Sequence, residues 1–494
     1  MGEMTAVPDR DDRLDGSDWG GSAQMTAWEA VMWRAEGDPR TRSTGVLLEL
    51  LDSVPDWPRF LAAHERATRA IPRLRDKVVE PMLPVATPTW TPDTCFDLCY
   101  HVQRLRLPEP GSMRQLLDLT AQIEARPLDN NRPPWEVVLV EGLAGGRAGY
   151  VLKLHHAMTD GLGIVQLLGL SHSRSATPGG HPLTPAAASA ATAPAATARP
   201  APEVTPLSLT ADQLREQLTG APARLLGGGR AAFGLLGRAL RDPVGTAGRA
   251  VDYSLSLRRM LTPPASVRSP LLRDGGFGYR LVVHDVALDS LKAAGKAAGG
   301  SLNDAFLAGI LGAFRRYHEH FGLSPDHMPI AIPISLRNTD DPQGGNRFAG
   351  ARFVAPVGEP DPAVRIKLIR EFILTARSEP AIGFLEVLAP MLSRLPSAAL
   401  TEIAGGLTNV SDVQASNIPG LGYPVYLAGA KVLRMYPMGP RPGVAAMVTM
   451  VSYDGTCCLG INLDPDVITD LDLFEDCLDK GFDEVLALGR TTRP

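Results

Sequence analysis

Apolar residues recur along this chain with two different periods, and the switches between them mark the elements. Trp57 to Arg69 and Ser112 to Ala125 repeat apolar positions three and four apart, which predicts helices. Tyr150-Val151-Leu152-Lys153-Leu154 predicts a short buried strand, and Leu162 to Leu170, apolar nearly throughout, predicts the start of a helix. In the second half, Tyr279 to Val286 and Pro329 to Ser335 read as strands and Leu302 to Phe321 as a long helix. Val444 to Ser452 and Cys457 to Leu463 read as paired strands around Tyr453-Asp454-Gly455, where Asp-Gly is a hairpin signal. Strands mixed with helices in both halves, without the βαβ rhythm of a doubly wound sheet, predict a two-domain α/β arrangement.

Between these stretches the pattern fails. Residues 1–22 are polar and read as disordered. Ser171 to Pro202 is dominated by Ala, Pro, Thr and Ser, and buries too little apolar surface to offset its ordering entropy, so it reads as a flexible linker. Ala221 to Thr262 carries seven arginines against Asp242 and Asp252, interleaved with Leu225, Leu226, Phe233, Leu235, Leu236, Leu240 and Val251. That mixture suits a basic amphipathic helix on an anionic lipid surface, or a helix packed on both domains with a solvated basic face. Gly227 to Gly229 weakens any continuous helix there. The division expected is a disordered 1–22, an N-terminal lobe over 23–170, a linker with the basic segment over 171–265, and a C-terminal lobe over 266–494.

Composition narrows the function. At 494 residues the chain exceeds one small core, and its 44% hydrophobic content is ordinary for a soluble protein. A net charge of -5 argues against nucleic acid as the main partner. Five cysteines without a C-x-x-C pair suggest reduced, mostly buried thiols and a cytoplasmic setting. Met1 to Trp19 has no apolar run suited to a secretory signal. No uncharged apolar run reaches the roughly 20 residues of a membrane span, so any membrane contact is expected to be peripheral. No nucleophile elbow, phosphate loop or dinucleotide fingerprint occurs.

The candidate chemistry is concentrated in His155-His156-Ala157-Met158-Thr159-Asp160-Gly161, on the turn between the predicted strand and helix. Adjacent strand residues point to opposite faces, so the two histidines make a poor chelate for one metal, and no metal is expected. His156 shares parity with Leu152 and Leu154, which points it inward if the strand continues. A neutral imidazole there suits a general base, with His155 in support. Asp160 caps the following helix, fixes the turn or pairs with a buried Arg. Gly161 permits a close approach that a side chain would block.

The heptad resembles the active-site signature of the acyl-CoA-dependent acyltransferase superfamily. Further segments resemble the bacterial wax ester synthase/diacylglycerol acyltransferase family: Pro127-Leu128-Asp129-Asn130-Asn131-Arg132-Pro133-Pro134-Trp135-Glu136, Ser301-Leu302-Asn303-Asp304, Ser416-Asn417-Ile418-Pro419-Gly420 and Ser452-Tyr453-Asp454-Gly455. They run in family order from about residue 25 to 485. Pro134 and Leu421 depart from the family's Leu and Pro. The resemblance implies two chloramphenicol-acetyltransferase-like lobes with mixed sheets and an active-site tunnel between them. It implies an O-acyltransferase that moves a long-chain acyl group from acyl-CoA to diacylglycerol or a long-chain alcohol, with no cofactor and with peripheral contact to the inner membrane face or lipid droplets. Catalytic roles fall to His156, His155, Asp160 and Gly161, and substrate contacts to Asn303, Asp304, Ser416 and Asn417. Ser301 and Asp304 are also explained by a capping box, and Asn417 to Gly420 by a turn. Two rival readings are a condensation or polyketide-associated acyltransferase served by a separate carrier protein, and a non-catalytic lipid-binding protein on the same scaffold.

Overall fold

The computed structural model describes residues 19–83, 86–176, 204–219, 268–273, 275–335, 344–346, 348–378, 384–395, 397–408 and 410–490. The basic segment 221–262 and most of the predicted linker lie outside these residues, as do residues 1–18.

The first half forms α1 (Ala27–Ala35), β1 (Thr44–Leu51), α2 (Trp57–Ala70), β2 (Asp76–Val79), β3 (Thr89–Pro92), α3 (Leu98–His101), β4 (Val102–Arg106), α4 (Met113–Ala125), β5 (Trp135–Leu143), β6 (Arg147–His155) and α5 (Gly161–Ser171). A further helix, α6, covers residues 206–219. The second half forms β7 (Arg280–Ala287), α7 (Leu288–Ala297), α8 (Leu302–His320), β8 (Met328–Ser335), β9 (Phe348–Ala355), α9 (Pro362–Ser378), α10 (Phe384–Leu392), α11 (Ser397–Thr408), β10 (Val413–Ile418), β11 (Tyr426–Leu427), β12 (Ala430–Met438), β13 (Ala446–Tyr453), β14 (Thr456–Leu463) and α12 (Leu471–Arg490). Local chemistry sets several boundaries. Thr26, Ser112 and Ser301 complete capping boxes for α1, α4 and α8, and Asp56 caps α2. Asp454 and Gly455 take φ of 43° and 80°, the two left-handed positions of a tight hairpin turn between β13 and β14.

Two six-stranded mixed sheets result, in the orders β11-β12-β1-β6-β5-β4 and β7-β14-β13-β10-β8-β9, with β2-β3 as a separate ribbon. β4 runs parallel to β5, and β10 parallel to both β8 and β13; the other pairs are antiparallel. Each sheet carries its own hydrophobic core. Among the described residues the chain crosses the sequence division into lobes. β11 and β12 fall within 266–494 yet complete the first sheet, where β12 pairs with β1. α6 lies inside the stretch assigned to the linker and is fastened to the first lobe: Thr210 and Gln213 bond the backbone of Met82 and Thr87. All five cysteines are free, with Cys457, Cys458 and Cys477 buried and Cys95 and Cys99 exposed. Among the described residues no helix is long and apolar enough to cross a membrane.

Candidate active site

The histidine turn begins where β6 ends. Thr44 of β1 pairs with His155, and the His155 N–H donates to the Pro134 carbonyl at 3.0 Å. Pro134 needs no N–H of its own for that bond, so the departure from the family's Leu leaves it intact. Trp135 is core, its Nε1 donating to the Leu74 carbonyl at 2.7 Å. The strand stops at His155, so strand alternation does not carry through to His156. The chain instead turns, with Met158 and Thr159 donating back to the carbonyls of His155 and His156. What separates the two histidines is therefore this turn.

His155 is buried and structural in its contacts. Its Nδ1 accepts from the Ala157 N–H at 2.9 Å, and its ring meets Trp33 edge-on at 5.1 Å. Its Nε2 lies 3.2 Å from Glu36 Oε2. Glu36 also accepts from the Ser43 N–H and the Thr44 hydroxyl, each at 2.7 Å. Burial alone would raise the Glu36 carboxyl; His155, Thr44 and Ser43 together hold it below its ordinary value.

His156 differs. Its ring is half-buried, and its Nδ1 lies 3.0 Å from Asn346 Oδ1. Asn346 Nδ2 donates to the His156 carbonyl at 2.6 Å. Burial pushes the imidazole pKa down, against the Asn346 hydrogen bond and the charge of Asp160, which favour the protonated ring. The net lowering keeps His156 neutral near pH 7, the state a proton acceptor requires. The sequence reading missed Asn346. Its signal is Gly344-Gly345-Asn346, two glycines with φ of 72° and 67° before a short amide, but nothing in the sequence placed that loop beside the histidines.

Asp160 caps α5, accepting from the Gly163 N–H at 3.0 Å, and its own N–H donates to the Gly345 carbonyl at 3.0 Å. A Cβ on Gly161 would lie 2.5 Å from Ile418 Cδ1, so the glycine allows the start of α5 to meet the end of β10. This contact brings the Ser416-Asn417-Ile418 segment to the histidine turn. Ser416 shares strand parity with Ile418 and so faces the motif; Asn417 shares parity with Val413 and Ala415 of the second core and faces away. β10 pairs with β13 along its length but with β8 only at Val413 and Gln414, so the two parallel strands part toward the end that carries Ser416. Gly420 N–H donates to the Ser452 hydroxyl at 3.1 Å, joining the Ser416 and Ser452 segments.

Asn303 and Asp304 sit on the first turn of α8, which packs on α7, α9 and α12. Asp304 is buried and accepts from the N–H and hydroxyl of Ser301; it also lies 3.4 Å from Arg370 of α9. These contacts make it a cap and a tie to α9 rather than a partner of the histidines. Asn303 is half-buried beside it.

Comparison with known proteins agrees with this geometry. Residues 25–306 match the wax ester synthase/diacylglycerol acyltransferase catalytic domain, and residues 344–485, beginning at the Gly344-Gly345-Asn346 loop, match the WS/DGAT C-terminal domain. A Mycobacterium tuberculosis H37Rv protein bearing the name diacylglycerol O-acyltransferase is 42% identical over 477 residues, which cover 96% of this chain and 94% of that protein. The fold is similar to a wax ester synthase/diacylglycerol acyltransferase from Marinobacter aquaeolei VT8, with a TM-score of 0.62 at 18% identity over 95% of this chain and 100% of that one. It is also similar to the first condensation domain of the CDA synthetase, with a TM-score of 0.55 at 15% identity over 94% and 96% of the two chains. With a mixed two-lobe α/β fold, a histidine turn inside the catalytic match and relatives along nearly its whole length, the chain belongs to the wax ester synthase/diacylglycerol acyltransferase family of acyltransferases.

Proposed function

We propose that the protein transfers a long-chain acyl group from acyl-CoA to the hydroxyl of diacylglycerol or a long-chain alcohol, with His156 as general base and no cofactor. The observation that carries this reading is the His156 ring on the turn after β6, its Nδ1 held 3.0 Å from Asn346 Oδ1, an arrangement that leaves Nε2 as the basic nitrogen. Nε2 takes the proton as the acceptor oxygen attacks the thioester carbonyl. A C–O bond forms and the carbonyl becomes a tetrahedral oxyanion. When the oxyanion collapses, the C–S bond breaks and the CoA sulfur leaves, taking the proton from the imidazolium. Base and both substrates share one site, so no acyl-enzyme is needed. The inter-lobe tunnel implied by the resemblance would let the substrates enter separately, and the parting of β8 and β10 beside the histidine turn supports an opening there. The M. tuberculosis relative's name favours diacylglycerol as acceptor.

The test is CoA release from a long-chain acyl-CoA with each acceptor, for the native protein and His156→Ala. Removal of a general base should lower turnover by about 10²- to 10⁴-fold. Wild-type turnover in the variant would remove His156 as the base, and activity only with carrier-bound acyl groups would favour the condensation-type reading. We also propose that the protein works at the inner membrane face or on lipid droplets through a peripheral contact, supported by exposed apolar residues around α6.

A further inference from the structure

We infer that Asn346 is the positioning residue that holds His156 in the tautomer a base requires, so that the base is assembled from both halves of the chain. The amide's orientation follows from its partners. The His156 carbonyl can only accept, so the group 2.6 Å from it must be Nδ2. That turns Oδ1 toward the ring, 3.0 Å from Nδ1. An amide oxygen can only accept, so Nδ1 carries the hydrogen and Nε2 of the neutral ring carries the lone pair. One side chain thus fixes both the ring's proton and the backbone carbonyl of the same histidine.

The clamp is itself held. Gly345 bridges Thr159 and accepts from the Asp160 N–H, while the Gly344 N–H donates to Gln166 of α5 at 3.1 Å. Glu29, buried in α1, takes a backbone hydrogen bond from Asn346. A Cβ on Gly344 would lie 2.6 Å from the Gly20 nitrogen, so the loop reaches the turn only with glycine there. Segments far apart in sequence, around His156 and Asn346, thus meet at one imidazole, with Glu29 holding the Asn346 backbone. Of its titratable neighbours, Asp160 favours the imidazolium and His155 opposes it.

This assignment rests on the acyl-transfer reading for its kinetic arm, but its structural arm needs no turnover. In protein labelled with ¹⁵N-histidine, the His156 resonances, identified by their loss in His156→Gln, should show a protonated Nδ1 and an unprotonated Nε2. In Asn346→Ala that pattern should be lost, and kcat should fall by about 10²-fold with the KM for acyl-CoA within about twofold. Asn346→Asp keeps an acceptor for Nδ1 and adds a negative charge, which raises the His156 pKa; the acid limb of the kcat profile should move to higher pH. An unchanged tautomer pattern in Asn346→Ala overturns the inference. So does an unmoved acid limb in Asn346→Asp, which keeps it testable should the alanine variant not fold. If the native protein releases no CoA from any acyl donor, the acyl-transfer reading fails while the resonance pattern still decides the clamp.

Discussion

His155 and His156 are covalent neighbours with opposite employment, and single contacts account for the difference. His155 accepts from the Ala157 N–H and faces Glu36, so its ring is tied into the core. His156 instead meets the Asn346 amide at Nδ1. Glu36 gives a residue-scale prediction. Its carboxyl is depressed in the folded state, so its stabilising contribution is full above the unfolded value near 4.5 and is lost as pH falls through the lower folded value. Glu36→Gln should cost about 1–3 kcal/mol near neutral pH, and the gap to the native protein should narrow below about pH 4.5. Urea unfolding midpoints across that range measure both; a gap independent of pH would separate Glu36 from the His155 contact. At this scale the sequence was readable where chemistry is local. Asp160 caps the helix that follows it, and Gly161 stands where a side chain has no room. Glu36 and Asn346 were not readable, because neither lies in a periodic stretch and both act across long sequence separations.

At the scale of elements, periodicity located the core of the fold. The helices expected at 57–69, 112–125 and 302–321 are Trp57–Ala70, Met113–Ala125 and Leu302–His320, and the hairpin around Asp454-Gly455 is present. α6 was missed because it follows a stretch poor in large apolar residues. Its Leu207, Leu214 and Leu218 do stand at helical spacing, but Leu207 and Leu218 are exposed, and polar bonds from Thr210 and Gln213 hold the helix to the first lobe. Its surroundings carry the second prediction. Met82, Leu83, Leu207 and Leu218 are exposed by 68%, 48%, 66% and 70%, and the backbone N–H of Met82 bonds Pro206 at the start of α6. The arginine-rich residues 221–262 follow directly in sequence. Apolar side chains beside a basic segment suit an anionic lipid surface. The native protein should float with vesicles containing phosphatidylglycerol and release with added salt, and Met82→Asp with Leu207→Asp should cut the bound fraction several-fold. Equal flotation of native and variant protein would place the lipid contact elsewhere.

For the whole molecule, the decisive feature is the strand that crosses between lobes. Sequence patterning does not single out β12, and it contains nothing about which sheet such a strand joins, since pairing partners are set by packing of faces that no local period encodes. In the structure β12 pairs with β1 from Val46 to Leu51, and Val432, Met435, Tyr436 and Met438 are buried in the first core. Tyr453 of the second sheet reinforces the crossing, its hydroxyl donating to the Val432 carbonyl at 2.9 Å and accepting from the Val425 N–H at 3.0 Å. A first lobe cut out at the boundary suggested by sequence would therefore expose the long edge of β1 and leave its core short of four large side chains, a combination that favours aggregation over folding. Asn346 adds a functional reason for the same dependence, because the His156 ring is oriented from the second half of the chain. The prediction is that residues 19–176 expressed alone are insoluble or lack a cooperative transition, whereas the intact chain loses both lobes together on heating. Calorimetry of the intact protein, with tryptophan fluorescence following the first lobe through Trp33, Trp90 and Trp135, reads this directly, since all three are buried there. A soluble 19–176 fragment with its own sharp transition would show that β12 decorates the first sheet rather than completing it.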